Sequence, residues 1–173
     1  MKTVLILSYI LATILGVHPQ TRTAVSQPVD WENVPPALRD AFSKKPFDGK
    51  YDVTARINPF YLRGDFDGDG IADYAILVTE TATHKQGIAV LMSRSHNFVF
   101  LGAGKAIQYG AKPEDNLDFD EWRVAGTNSA DKTSSLELPA NFHGDAIFVE
   151  KSESASGLFY WNGSRFRWFQ EGD

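Results

Sequence analysis

An aspartate-rich segment constrains this chain more than any other feature of its sequence. Asp65, Asp67, Asp69 and Asp73 all occupy odd-numbered positions of one short, glycine-containing stretch. Carboxylates this close repel one another unless a cation lies among them. Calcium is a hard cation that takes several oxygen ligands in a flexible shell, so the segment predicts a calcium-binding loop.

The spacing of this loop follows the start of the twelve-residue calcium loop of EF-hands. That loop uses side-chain oxygens at positions one, three and five, a glycine at six, a carbonyl at seven, and often a water at nine. Position twelve, where an EF-hand has glutamate, is Ile76, and the sequence predicts a strand there instead of a helix. The pattern therefore argues against an EF-hand. The predicted ligands are the side chains of Asp65, Asp67 and Asp69, the carbonyl of Ile71, and Asp73 either directly or through water.

Aspartate and glycine are also ordinary turn residues, so a solvated hairpin connection is the alternative interpretation of this segment. A turn requires one or two such residues, whereas the segment carries four aspartates and a glycine at position six. The spacing therefore favours a metal site over a simple turn.

Short apolar runs separated by turn residues predict an α+β domain, mainly an antiparallel β-sheet of about six to eight strands with a short N-terminal helix. The helix is predicted within 34–42, where proline is tolerated in the first turn. A strand at 73–80 follows the loop directly and is expected to form an antiparallel meander with its neighbours. Other strands are predicted at 59–63, 87–92, 98–101, 121–125, 136–138, 145–150, 157–161 and 164–169.

The aspartate loop resembles the calcium-loop signature of FG-GAP and VCBS-type repeats over residues 64–75. The runs at 88–92 and 98–104 resemble the remaining strands of one such repeat, so the match covers about residues 60–104. The resemblance implies a propeller-blade-like unit, calcium ligands at Asp65, Asp67, Asp69 and Asp73, and a surface for adhesion or ligand binding. One copy of the loop is present, and a propeller needs about four or more blades, so a complete propeller is not expected.

The first 24 residues are typical of a secretory leader, with Lys2 followed by an apolar run at 3–17. No clear cleavage site follows, so an uncleaved membrane anchor is the alternative. We expect 25–34 to be a tether, 35–173 to form one globular domain, and the protein to be secreted or periplasmic. Cysteine is absent, and a bound ion is one way to stabilise a small domain that has no disulfides.

The net charge of the chain argues against nucleic acid and anionic membranes as partners. Lys2 and Arg22 are the only charged residues of the predicted leader, whose removal leaves 15 Lys and Arg against 22 Asp and Glu. An acidic chain without a basic stripe is a poor candidate for binding nucleic acid or an anionic membrane.

Near the C-terminus, Asn162-Gly163 predicts a two-residue hairpin turn. Alternation then places four aromatic residues on a core face. The opposite face is a candidate surface for a protein or envelope partner, because tyrosine and arginine are common anchors at interfaces. The predicted core residues are Phe159, Trp161, Phe166 and Trp168, and the predicted partner residues are Tyr160, Arg165, Arg167 and Phe169.

The sequence contains no recognised catalytic motif, which favours a non-enzymatic binding domain with a structural calcium ion. The alternative is an enzyme of unidentified class, possibly a hydrolase, with an acid–base set of His143, Asp145 and Glu137. A structural envelope protein is a third hypothesis. A second acidic segment at 113–121 lacks alternating glycines and is interpreted as a solvated loop, with a second ion site as the alternative.

Overall fold

A computed structural model describes residues 31–43, 47, 49–126, 139 and 141–172 of the chain. The predicted leader and the predicted strand at 136–138 lie outside these residues.

The described part of the chain begins with a 3₁₀ turn at Trp31–Asn33 and the helix α1 at Pro36–Phe42. Pro36 occupies the first helical turn, where a missing backbone N–H costs no hydrogen bond. Leu38 is fully buried and packs with Val34 and Leu91 against the first sheet. The short N-terminal helix predicted from the sequence is therefore confirmed.

The first sheet contains five antiparallel strands. Its central strands are buried on both faces, which explains why their sequences are continuous apolar runs instead of alternating ones. The strands are β1 at Tyr51–Val53, β2 at Tyr61–Gly64, β3 at Asp73–Glu80, β4 at Gln86–Met92 and β5 at Asn97–Gly102. β4 lies between β3 and β5, while β1 and β2 pair with opposite halves of β3. The predicted meander through the loop is confirmed.

The second sheet is a four-stranded antiparallel meander, and a small hairpin connects it to the first sheet. The hairpin consists of β6 at Ile107–Tyr109 and β7 at Lys112–Glu114. The sheet consists of β8 at Glu121–Ala125, β9 at His143–Lys151, β10 at Ala155–Trp161 and β11 at Phe166–Gly172. The described residues thus form eleven strands, more than the six to eight predicted, because short edge strands such as β1 and β6 carry weak sequence signals.

The two sheets share one apolar core. Leu77, Ile88 and Val90 come from the first sheet and meet Ile147 and Phe159 from the second. Burial of these side chains is the main stabilising term of the fold.

The hairpin between β10 and β11 has a four-residue loop, so the predicted two-residue turn is wrong. Trp161 pairs with Phe166, and the side chain of Asn162 accepts hydrogen bonds from the backbone N–H groups of Ser164 and Arg165. These hydrogen bonds to the Asn162 side chain stabilise the longer turn in place of the predicted two-residue turn. The pairing of β10 with β11 is thus shifted by two residues from the predicted register. Because side chains of a strand alternate with a period of two, they still lie on the predicted faces.

The acidic segment at 113–121 is not simply a solvated loop. Leu117 and Phe119 are fully buried in the shared core, while the intervening Asp118 and Asp120 are exposed and contact Lys151. The alternation of apolar and acidic residues therefore marks an extended segment with one buried side.

Candidate metal centre

The aspartate loop connects β2 to β3 and is closed by their pairing. Gly64 lies opposite Asp73 in the antiparallel register, so the ends of the loop are fixed by the sheet. This pairing places the first and last aspartates of the loop at one edge of the shared core.

Three of the predicted ligands converge. One carboxylate oxygen from each of Asp65, Asp67 and Asp73 can be chosen so that all three lie within 4.8 Å of one another. Asp73 is 1% exposed and is the one fully buried polar or charged side chain among the described residues. The two others are half-buried, so the group opens toward solvent on one side.

Backbone N–H groups of the loop hold these carboxylates in place. Asp65 accepts hydrogen bonds from Asp69 N and Gly70 N at 3.0 and 2.9 Å, and Asp67 Oδ1 accepts from Asp69 N at 3.1 Å. Gly68 and Gly70 have φ angles of 75° and 84°, which strongly favour glycine. The alternating glycines of the sequence therefore allow the tight curl that brings the aspartates together.

The carboxylate of Asp73 is held from two directions. Its Oδ2 accepts from Phe66 N at 3.1 Å and its Oδ1 accepts from Ser93 N at 2.7 Å. Burial raises the pKa of Asp73 to about 6, the hydrogen bond from Ser93 opposes that rise, and the charge of Asp67 adds to it. Burial likewise raises the pKa of Asp67. A cation at this point would favour the ionised form of both groups.

Asp69 lies in a different environment from the three converging aspartates. Its side chain accepts hydrogen bonds from Arg94 Nε and from Ile71 N, and the contact with Arg94 lowers the pKa of Asp69. Arg94 also donates to the carbonyl of Asp69 at 3.0 Å. Ile71, whose carbonyl was a predicted ligand, has a side chain that is 40% exposed beside this pair. The structure thus separates Asp69 from the group of three that the sequence predicted it would join.

Asp145, on β9, supports the loop and was not assigned to this site from the sequence. Its Oδ2 accepts from Asp65 N at 2.9 Å, and its own N–H donates to Asp65 O at 2.6 Å. A Cβ atom on Gly144 would lie 2.1 Å from Asp65 O, so only glycine permits this contact. The two residues are 80 positions apart in the chain, and no local motif indicates their pairing.

The donor set fits a hard divalent cation. The candidate metal-ligand atoms of Asp65, Asp67 and Asp73 are all carboxylate oxygens. Calcium and magnesium prefer such oxygen ligands, whereas zinc sites usually contain nitrogen or sulfur. In the part of the chain that the structure describes, no lysine or arginine forms an ion pair with Asp65, Asp67 or Asp73. When these carboxylates are ionised, their charge is therefore not balanced by an ion pair of the described residues, and a bound cation could balance it.

Two members of the proposed acid–base set, His143 and Asp145, lie two residues apart on β9. His143 is exposed at the start of β9, close to the turn at Gly163, and Glu137 lies outside the described residues. The carboxylate of Asp145 accepts a hydrogen bond from the backbone N–H of Asp65 in the aspartate loop. The geometry thus links Asp145 to the aspartate loop.

The predicted partner surface contains both exposed and buried members. Arg165 and Arg167 are exposed, Phe169 is half-buried, and Tyr160 is 7% exposed with its ring stacked on Phe142 at 5.5 Å. The two arginines are therefore the residues of this set that are most available to a partner.

No family model, curated protein or solved structure matches this chain. Within the described ranges, no helix is long and apolar enough to span a membrane.

Proposed function

We propose that the chain is a calcium-stabilised binding domain in which the ion has a structural role. The observation that carries this proposal is the convergence of Asp65, Asp67 and Asp73 on one point without a paired cationic side chain in the described structure. Asp69 and the carbonyl of Ile71 complete the proposed ligand set. In this proposal Asp69 exchanges its contact with Arg94 for the ion or acts through a water.

A structural role is supported by the position of the site. The loop joins β2 to β3, and through Asp65 it also contacts Asp145 on the second sheet. An ion that neutralises the carboxylates would remove their mutual repulsion where the two sheets meet. Calcium is also a poorer activator of water than zinc, which favours stabilisation over catalysis.

We further propose that β2 to β5 form a single propeller-blade-like unit of the FG-GAP or VCBS type. Four antiparallel strands in a meander, with an aspartate loop between the first two, support this interpretation. The second sheet covers one face of this unit through the shared core, a position that neighbouring blades take in a propeller.

The proposed location is the periplasm or the extracellular space, and it depends on the leader-like pattern of residues 1–24. The proposed activity is binding of a protein or envelope partner. Arg165 and Arg167, as exposed cationic residues on one hairpin, are its proposed anchors.

A calcium titration followed by thermal unfolding tests the metal site. An ion that binds only the folded state raises the melting temperature, by about 5–10 °C at 100 times Kd for a domain of this size. Asp67→Asn keeps an acceptor for Asp69 N but removes one charge, so it should abolish most of this increase.

Asp52→Asn is the matched control because Asp52 is an exposed aspartate of β1, outside the loop. It should show the wild-type response to calcium. An unchanged melting temperature of the wild-type protein at millimolar calcium would refute the proposed site.

A further inference from the structure

A small cleft opens beside the shared core, where the β6–β7 hairpin, the turn between β9 and β10, and strand β11 meet. Its volume is about 170 Å³. The cleft does not involve the aspartate loop or the proposed partner surface, so its function can be tested separately from theirs. The lining includes Tyr109, Asp118, Lys151, Ser154, Trp168 and Gln170.

One wall of the cleft is aromatic. The rings of Tyr109 and Trp168 are half-buried and pack edge to face, with centroids 4.9 Å apart. The indole of Trp168 lies against the backbone of β10, because a Cβ atom on Gly157 would be 2.4 Å from its Cζ2. Its Nε1 donates a hydrogen bond to Gln170 Oε1 at 3.0 Å. These contacts fix the orientation of the indole, so the apolar wall is formed before a ligand binds.

Polar groups border this wall. Lys151 Nζ contacts Asp118 Oδ1 at 3.0 Å, and the hydroxyl of Tyr109 donates to Asp118 O at 2.9 Å. Ser154 contributes a hydroxyl group and Gln170 a side-chain amide. The border therefore contains both hydrogen-bond donors and acceptors.

The charges at the cleft favour an uncharged ligand. Asp118 and Lys151 are the charged side chains among its described lining residues, and they pair with each other. Asp120 also contacts Lys151 at 3.2 Å, and Arg56 donates to Phe119 O, in the same segment, at 2.6 Å. Two carboxylates are thus balanced by two cationic groups, so the net charge selects neither an anion nor a cation.

We propose that this cleft binds one ring of a neutral carbohydrate. A sugar ring has an apolar C–H face that can pack on the indole of Trp168, and its hydroxyl groups both donate and accept hydrogen bonds. A purely apolar ligand would instead bury the polar groups of the border without partners. The volume is below the range of about 300–1,000 Å³ that is usual for drug-sized ligands, which favours a single ring.

NMR spectroscopy of the wild-type protein tests this proposal, with methyl β-glucopyranoside and N-acetylglucosamine as probes. A ligand of this size in a small cleft is expected to bind with a Kd of about 1–10 mM. The indole N–H signal of Trp168 should shift as sugar is added. The signals of Trp122 and Trp161, which do not line the cleft, should not shift.

Trp168→Phe keeps an aromatic ring beside Phe159 but shortens the wall and removes the hydrogen bond to Gln170. The affinity for both sugars should fall by about threefold or more. Trp161→Phe is the matched control, because it makes the same substitution on the neighbouring strand β10. It should leave the Kd unchanged.

Tetramethylammonium and inorganic phosphate serve as the cationic and anionic probes, and both should bind more weakly than the sugars. Tighter binding of either ion would overturn the assignment of a neutral ligand. The experiment on the wild-type protein does not depend on the folding of a variant. An unshifted Trp168 signal at about 50 mM of either sugar, which is above the expected Kd, would overturn the proposal.

Equal loss of affinity in Trp168→Phe and Trp161→Phe would also overturn it, because the sugar would then not depend on the wall of this cleft.

Discussion

The two acidic segments of this protein, at 65–73 and 115–120, use their carboxylates in opposite ways. In the first, three carboxylates converge and none of the three is paired with a lysine or arginine in the described structure. In the second, Asp115 pairs with Lys85, and Asp118 and Asp120 pair with Lys151. The residues between the aspartates explain the difference.

In the first segment Gly68 and Gly70 lie on either side of Asp69, and their left-handed conformation lets the backbone curl around one point. The second segment contains no glycine, and burial of Leu117 and Phe119 keeps it extended. Spacing of acidic residues therefore indicates a metal site only together with residues that allow the chain to curl.

The largest expected effect comes from the core of the second segment. Phe119→Ala removes a fully buried ring from the shared core and should lower the free energy of unfolding by about 3–5 kcal/mol. Denaturant unfolding measures this change. Asp118→Ala removes only an exposed partner of Lys151 and should cost less than about 1 kcal/mol. Equal costs for the two variants would contradict the distinction between the segments.

The first segment should respond to calcium and pH together. The pKa of Asp73 is raised to about 6, against about 3.9 in an unfolded chain. Between these values the unfolded state binds fewer protons, so the stability of calcium-free protein falls as pH rises from about 4 to 6. Bound calcium compensates the ionised carboxylate, so its stabilising effect should grow over the same window.

Melting temperatures at pH 4.5 and pH 7, with saturating calcium or with chelator, measure this dependence. The increase in melting temperature from chelator to saturating calcium should be several degrees larger at pH 7 than at pH 4.5. A difference that does not change with pH would argue against Asp73 as a ligand. Asp118→Asn, in the second segment, should leave the difference unaltered.

The ion pairs of the second segment should contribute little. Lys151 contacts Asp118 and Asp120 at 3.0 and 3.2 Å, but both aspartates are exposed. Lys151→Met keeps most of the aliphatic stem and should cost about 0–1 kcal/mol, less at 1 M salt than at 0.1 M. Chemical denaturation with urea at the two salt concentrations tests this. A cost above about 2 kcal/mol would mean that charge pairing, and not burial, organises the segment.

The smallest expected effect on stability lies at the C-terminal hairpin. Arg165→Ala with Arg167→Ala changes two exposed side chains and should alter the free energy of unfolding by less than about 0.5 kcal/mol. The same double variant should lose the proposed partner in affinity capture from the native compartment. If the double variant captures the same proteins as the wild type, Arg165 and Arg167 are not the anchors of a partner.

Much of the local structure could be predicted from the sequence because its signals are local. The strands at 73–80 and 121–125 have the predicted bounds, and the convergence of Asp65, Asp67 and Asp73 follows the spacing of the loop. The prediction was incomplete where distant residues decide the geometry. Asp69 pairs with Arg94, 25 positions away, and Asp145 reaches the loop from another sheet.

The reciprocal hydrogen bonds between Asp65 and Asp145 have a consequence for the order of folding. Joining residues 80 positions apart costs more chain entropy than pairing neighbouring strands, so we expect this contact to form after the first sheet. The first sheet can pair its strands from residues 51–102 alone, but the loop gains its support only when β9 arrives. An ion held tightly at this loop would therefore mark a chain whose two sheets have already docked.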